Sequence, residues 1–191
     1  MFIHTESINY IIKKRGFNSY LEIGVNKREN NFDLIQCQFK IGVDPEPNAK
    51  ANFLGTSDEF FKQNKQVFGT IFVDGLHHAD QVRIDLENSI KYLTEGGVIV
   101  IHDTDPKEES YTCVPRNGLR GRWNGDVFKI IPYLKALGLD YRTLDYEANG
   151  VTVCKLGGVK ETVEPFKDFK DFLSRRSELN LCTKTEFENW I

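Results

Sequence analysis

The stretch from Thr70 to Pro106 narrows the fold choices more than any other part of this chain. It reads T-I-F-V-D-G-L-H-H, then a helical pattern, then E-G-G-V-I-V-I-H-D-T-D-P. Ile71, Phe72 and Val73, and again Val98, Ile99, Val100 and Ile101, form continuous apolar blocks instead of alternating ones, the pattern of parallel strands buried on both faces. Between them, Ala79 to Leu93 places Val82, Leu86, Ile90 and Leu93 on one helical face. Strand, helix and strand make a βαβ unit. Its right-handed crossover brings both carboxyl ends to one edge of the sheet, where open α/β sheets bind their ligands. Asp74, His77 and His78 are therefore expected beside His102, Asp103 and Asp105. Taken singly, each has a plainer role as a polar loop residue, with Asp103 or Thr104 capping a turn and Asp105-Pro106 opening one. The repetition of Asp with His at two neighbouring strand exits is what argues for a site.

Upstream, Thr5 or Ser7 is expected to cap a first helix with Ile8, Ile11 and Ile12 on one face and Gly16 as its stop. Ser19 to Gly24 reads as a strand ending in Glu22 and a glycine that lets a ligand approach the backbone. A dinucleotide fingerprint needs G-x-G-x-x-G, and Gly24-Val25-Asn26-Lys27-Arg28-Glu29 supplies only the first glycine. That weighs against a diphosphate ligand such as NAD. A helix is expected from about Asn30 to Gln38, carrying Phe32, Leu34, Ile35 and Phe39 inward. The second strand, Lys40 to Asp44, puts an acid about 20 residues beyond Gly24, where ribose-binding folds place the carboxylate that accepts both ribose hydroxyls. An Asp-Pro turn is the plainer reading of Asp44. Asn52 to Gly55 suits a short third strand, after which Thr56-Ser57 caps a helix through Phe60 and Phe61. Thr56, Ser57 and Asp58 are placed to meet an adenine edge, although capping alone explains Ser57 equally well.

Beyond the central unit, Lys107 to Gly125 is long and irregular, and loops of that length in a compact domain are usually functional or mobile. Arg116, Arg120 and Arg122 suit a substrate with a carboxylate or phosphate, and Trp123 a flat or sugar-like face; a solvated basic loop is the equal alternative. Asn124 to Leu137 is expected to be a helix kinked at Pro132. Asp140 to Tyr146 and Val151 to Lys155 flank Asn149-Gly150 as an antiparallel hairpin. The tail carries a stripe of Phe166, Phe169, Phe172 and Leu173, which packs either on its own sheet or on a second subunit as a homo-oligomer, and a capping box at Thr183 to Glu186.

The length of 191 residues suits one domain, divided into an N-terminal helix (1–18), a core (19–155) and a helical tail (156–191). A net charge of -3 argues against general nucleic-acid binding. No apolar run reaches membrane-spanning length and Met1 to Arg15 lacks a signal-peptide pattern, so a cytoplasmic protein is expected. Cys37, Cys113, Cys154 and Cys182 are widely spread and read as reduced thiols; Cys113, in a loop, is the one to test for reactivity.

Y-L-E-I-G-V, G-V-D-P, F-V-D-G-L-H-H and G-G-V-I-V-I-H-D-T together resemble the class I S-adenosylmethionine-dependent methyltransferases. The D-G-x-H and G-G-x-I-x-x-H-D signatures are similar to a small-molecule branch that includes the macrocin-type sugar O-methyltransferases. The resemblance covers Ser19 to Lys155 and implies an α/β fold: a Rossmann-like, seven-stranded, mostly parallel sheet with a terminal antiparallel hairpin and helices on both faces. It implies S-adenosylmethionine near Glu22, Gly24 and Asp74, ribose on Asp44, and adenine beside Thr56 to Asp58. The departure is in motif one, where the family has a further glycine and this chain has Asn26-Lys27-Arg28. Methyl transfer needs an oriented, deprotonated nucleophile. His77, His78 and His102 compete as general base, with His77 preferred because it matches the signature, and Asp74 and His102 complete the candidate catalytic set. In metal-dependent relatives acids at these strand ends hold the ion, so Asp74 and Asp103 are candidate ligands for Mg2+ as an optional assistant, with Thr104 where some relatives carry another acid or amide. The acceptor is expected to be a small, anionic or sugar-like molecule. An NAD-dependent oxidoreductase and a non-catalytic protein that keeps the fold are the alternatives.

Overall fold

A computed structural model describes residues 3–116, 118 and 121–191. Strands β1 (Ser19–Ile23), β2 (Phe39–Asp44), β3 (Phe53–Leu54), β4 (Phe68–Val73) and β5 (Leu93–His102) pair in parallel, while β6 (Leu139–Leu144) and β7 (Val151–Leu156) form an antiparallel hairpin joined to β5 through β7. A short β8 (Leu181–Cys182) adds in parallel to β6. The order is β3-β2-β1-β4-β5-β7-β6-β8, so the winding reverses between β1 and β4, the place where such sheets open a crevice. The Rossmann-like α/β fold is present with its terminal hairpin. The eighth strand, beyond the seven expected, comes from the tail returning to the β6 edge and pairing with groups that would otherwise be exposed.

Helices α2 (Ser57–Gln63), α3 (Ala79–Lys91), α4 (Ile130–Leu137) and α5 (Phe169–Ser174) cover one face; α1 (Ile3–Arg15) and α6 (Lys184–Trp190) cover the other. Every residue of β4 is buried, which is why its sequence does not alternate. Phe166, Phe169 and Phe172 pack around Phe128, with the Phe128 and Phe172 ring centroids 4.9 Å apart, so the tail stripe is used within its own chain; Leu173 is the exposed member. The capping box at Thr183 and Glu186 opens α6 as read from sequence. No helix among the described residues is long and apolar enough to cross a membrane.

Three local expectations fail for identifiable reasons. The helix expected over Asn30 to Gln38 is two 3-10 turns, Arg28–Asn30 and Phe32–Leu34. Asn31 leaves helical geometry (φ -142) to donate to Glu22, and Lys40 Nζ takes the carbonyls of Phe32 and Ile35 that a helix would need. Thr5 and Ser7 lie inside α1 instead of capping it; Thr5 is fully buried and its hydroxyl donates to Asn31 Oδ1 at 2.7 Å. The helix expected from Asn124 is a 3-10 turn, Val127–Lys129, followed by α4, and Pro132 falls in the first turn of α4, where its missing N–H is not required.

Candidate functional site

The first strand exit is shaped by contact with its neighbour. Gly24 takes φ +86, and a Cβ built there would lie 2.1 Å from the Asp74 carbonyl oxygen, so only glycine lets the β1 and β4 exits pass. Asn26 takes φ 51, and its backbone N–H donates to Asp44 Oδ2 at 2.8 Å. Asparagine tolerates the left-handed region better than other non-glycine residues, so the turn keeps a glycine-type path without the second glycine. The other oxygen of Asp44 accepts the Glu46 N–H at 2.8 Å. Each carboxylate oxygen thus accepts one amide and retains capacity for a second donor.

A cleft of about 660 Å³ opens along the carboxyl ends of β1, β2, β4 and β5. Gly24, Asn26 and Asp44 line one part, and Thr56, Ser57, Asp58, Gln81 and Asp85 the part beside α2 and α3. Thr56 caps α2, and its hydroxyl is committed to Glu59. Gln81 donates to Ser57, Asp58 and Asp85. Burial pushes the Asp85 carboxyl up to about 6 against the hydrogen bonds from Ser57 and Gln81.

At the other end two carboxylates and two imidazoles converge. His102 Nδ1 lies 3.1 Å from Asp74 Oδ1 and 3.1 Å from Asp103 Oδ2; His77 Nε2 lies 3.5 Å and 3.2 Å from the same two oxygens. Asp103, 4% exposed, is held at φ 63, and Asn124 donates to its Oδ1 at 2.9 Å. Burial alone would lower both imidazoles, but Asp74 and Asp103 outweigh it, raising His77 and raising His102 well above the usual range. Burial would likewise raise Asp74, yet His102 and His77 hold it well below the usual carboxylate range. His77 Nδ1 donates to the Trp123 carbonyl at 2.9 Å, which fixes the tautomer and leaves Nε2 facing the carboxylates.

The structure brings Gly24, Asp44, Thr56, Ser57, Asp58, Asp74, His77, His102, Asp103, Arg116 and Trp123 to this one cleft. Glu22 is elsewhere. It is buried on the α1 side of the sheet, where it accepts from Tyr20 Oη at 2.6 Å and Asn31 Nδ2 at 2.8 Å, and burial pushes it up to about 8 against those two bonds. On a strand, neighbouring side chains alternate faces, so an acid one position from the cleft-facing Ile23 points away from it. His78 and Arg122 do not line the cleft, and Arg120 lies outside the described residues. Asp105, expected beside the site, turns to the tail and accepts from Arg176 at 3.1 and 2.6 Å and from Lys107. Trp123 stacks on His77 (centroids 4.8 Å apart), lies 5.5 Å from the Arg116 guanidinium and donates through Nε1 to the Cys113 carbonyl at 2.7 Å. Its ring supports His77 in addition to facing the cleft.

Sequence reasoning missed Asn124, Asp126, Gln81 and Asp85. Asp85 carried a signal, since it is a polar residue next to Val82 and Leu86 on the apolar face of α3. Asp126 Oδ1 accepts the Ala79 N–H at 2.7 Å and so caps α3 from across the fold, which no local pattern announces.

The cleft fits an adenosyl ligand: a glycine exit, a carboxylate with spare acceptor capacity at the second strand tip, and adequate volume. Magnesium fits poorly. Donor atoms of Asp74, Asp103 and His102 lie within 4.8 Å of one another, but both carboxylates already engage imidazoles, and the fully buried Thr104 hydroxyl is turned to Thr152 at 2.8 Å. A mixed nitrogen and oxygen set of this kind is not the all-oxygen shell magnesium prefers.

A family model described as a methyltransferase domain matches residues 21–104. No curated protein matches the chain by sequence. Among solved structures, the O-methyltransferase from Bacillus cereus in complex with SAH is similar at a TM-score of 0.56 and 12% identity, covering 79% of this chain and 80% of that one. The SAH-bound Podospora anserina methyltransferase PaMTH1 gives 0.56 and 15%, covering 81% and 78%. The O-methyltransferase TomG from Streptomyces achromogenes, involved in tomaymycin synthesis and solved with SAM, gives 0.54 and 13%, covering 81% and 80%. At these identities the likeness is one of fold.

Proposed function

We propose that this chain transfers a methyl group from S-adenosylmethionine to an oxygen of a small polar acceptor. The observation that supports this most is the placement of Gly24 and Asp44 in the same cleft as the Asp74, His77, His102 and Asp103 cluster, at the point where the sheet winding reverses. S-adenosylmethionine supplies a methyl group on a positively charged sulfur. Asp44 accepts the ribose hydroxyls, Gly24 allows the close backbone approach, and Ser57, Asp58 and Gln81 offer hydrogen bonds at the adenine end.

His77 is the general base of this reading. With Nδ1 bonded to the Trp123 carbonyl, only Nε2 is available to take the acceptor's hydroxyl proton, and Asp74 and Asp103 stabilise the imidazolium that results. Because those carboxylates raise His77, the base form is reached only above the ordinary imidazole range, so transfer should rise with pH through that raised value. Arg116, exposed at the mouth, donates to the Gly121 carbonyl with one nitrogen and has further donors for an acceptor carboxylate or phosphate, or for a sugar. No step requires magnesium.

Calorimetry with S-adenosylmethionine tests the reading. Asp44→Ala should weaken binding about 10- to 100-fold, the value of a hydrogen-bonded charge. His77→Asn should leave binding in place and abolish transfer. Absence of saturable binding to the unaltered chain would overturn the assignment.

A further inference from the structure

His102 ends β5, and its two ring nitrogens meet different surroundings. Nδ1 faces Asp74 and Asp103 at 3.1 Å each; carboxylates accept and do not donate, so this nitrogen carries the hydrogen. Nε2 is buried and has no hydrogen-bond partner among the described residues. It points away from the acidic pair, and an ion bound there takes the place of the hydrogen that this nitrogen carries in the charged ring. Beside the ring stand two groups that methyl transfer leaves unused. A ring nitrogen of His4 and a carboxylate oxygen of Glu147 lie with a ring nitrogen of His102 within 4.8 Å of one another.

The three residues come from separate elements, and each is oriented by packing or bonding. His4, in α1, is 8% exposed; its ring stacks on Phe72 at 5.5 Å and meets His102 edge-on at 4.9 Å. Glu147 belongs to the loop between β6 and β7, where its Oε2 accepts the Asn149 N–H at 2.8 Å. Being half-buried, it leaves an ion a path from solvent. Two imidazoles and a carboxylate are the donors chosen by zinc and its neighbours among the divalent transition ions. A histidine that binds such an ion usually donates its second ring N–H to a carboxylate, which fixes the tautomer and aims the ring. His102 already makes that second bond, and makes it twice.

We propose that His4, His102 and Glu147 form a binding site for a divalent transition ion of the zinc type, behind the cleft and separate from the Asp74 and Asp103 oxygens. Nothing in this depends on the methyl-donor reading. An ion on Nε2 keeps the His102 N–H directed at Asp74 and Asp103, so the site braces the acidic pair from outside the cleft.

The test is titration of the metal-free full chain with Zn2+ by calorimetry and with Co2+ by visible absorption. Expected are one ion per chain, the d–d bands of four-coordinate Co2+ without a thiolate-to-metal band, and Zn2+ affinity lowered by about 100-fold or more in both His4→Ala and Glu147→Gln, more than the loss of an outer-shell partner causes. His4→Ala opens space beside Phe72, so Glu147→Gln, on a half-buried loop, is the variant whose fold is not at risk; circular dichroism verifies both. Unchanged affinity in either folded variant, binding through thiolates, or no saturable binding to the unaltered chain would overturn the proposal.

Discussion

Replacing Asn124 by alanine removes two hydrogen bonds from a residue that is 1% exposed: Nδ2 donates to Asp103 Oδ1 at 2.9 Å and to the Asn149 carbonyl at 3.0 Å. A bond to a charged acceptor contributes about 1.5–3 kcal/mol and one to a neutral carbonyl about 0.5–1.5 kcal/mol, so the two together stabilise the fold by roughly 2–4 kcal/mol. At this chain length each kcal/mol moves the thermal midpoint by about 2–4 °C, which places the expected fall between about 4 and 16 °C. The backbone bond from Asn124 N to the Tyr111 carbonyl survives the change, so the loop keeps its course and the loss falls on Asp103. Thermal melts followed by circular dichroism measure it. Asn124→Asp should be worse than alanine, because it sets a second carboxylate against Asp103. A midpoint for Asn124→Ala within about 1 °C of the unaltered chain would show that Asp103 does not rely on this donor, and the account of how the acidic pair is held would be wrong.

Asp85 gives a pH signature. Its carboxyl is raised from 3.8 to about 6, so the folded state holds the proton longer than the unfolded one, and ionising it costs stability. The penalty is absent below about pH 4 and complete above about pH 6. Asp85→Asn should therefore gain on the unaltered chain as pH rises through that window and show no such gain in acid; a difference that does not vary with pH would refute this. Phe172→Ala should cost about 3–5 kcal/mol in urea unfolding, since the ring is fully buried against Phe128, Phe166 and Phe169. A loss below about 1 kcal/mol would mean that α5 is an appendage and not part of the core.

The parts of this fold that were legible in the sequence are those where one local signal suffices. Ile71 to Val73 of β4 and Val98 to Ile101 of β5 are apolar without alternation because both faces are covered, and the capping boxes that open α2 and α6 are complete in four residues each. What was not legible depends on partners distant in the chain. Asn30 to Gln38 has helix-compatible spacing, and the claims of Glu22, Lys40, Thr5 and Asn9 on its polar groups break it. Glu22 was read by its place in a motif, whereas strand alternation sends it to the opposite face, beside Tyr20 and Asn31. β8 is two residues long and has no pattern of its own; it exists because β6 offers an edge. Asp105 looked like a third acid for the cleft until Arg176, 71 positions on, claimed it.

The same distinction bears on the long loop after β5. Its end is fastened at four points: Gly125, at φ +57, sits where a Cβ would lie 1.8 Å from the His77 carbonyl oxygen; Asp126 caps α3 at Ala79, where His78 makes no side-chain cap; Asn124 holds Asp103; and the Trp123 carbonyl orients His77. A segment tied to His77, to Asp103 and to the start of α3 is, on the proposed function, part of the reaction geometry, so variation there should alter turnover before it alters what is bound. The stretch that precedes it, around Cys113 to Arg116, is tied among the described residues through the Trp123 Nε1 bond to the Cys113 carbonyl, the Arg116 bond to Gly121, a contact from Cys113 Sγ to Ser110 and the Arg116 guanidinium over the Trp123 ring. On the proposed function, Arg116 at the cleft mouth meets the acceptor while the Trp123 to Asp126 end serves proton transfer, so substitutions at Arg116 should change KM for an anionic acceptor while leaving the pH dependence set by His77 where it was.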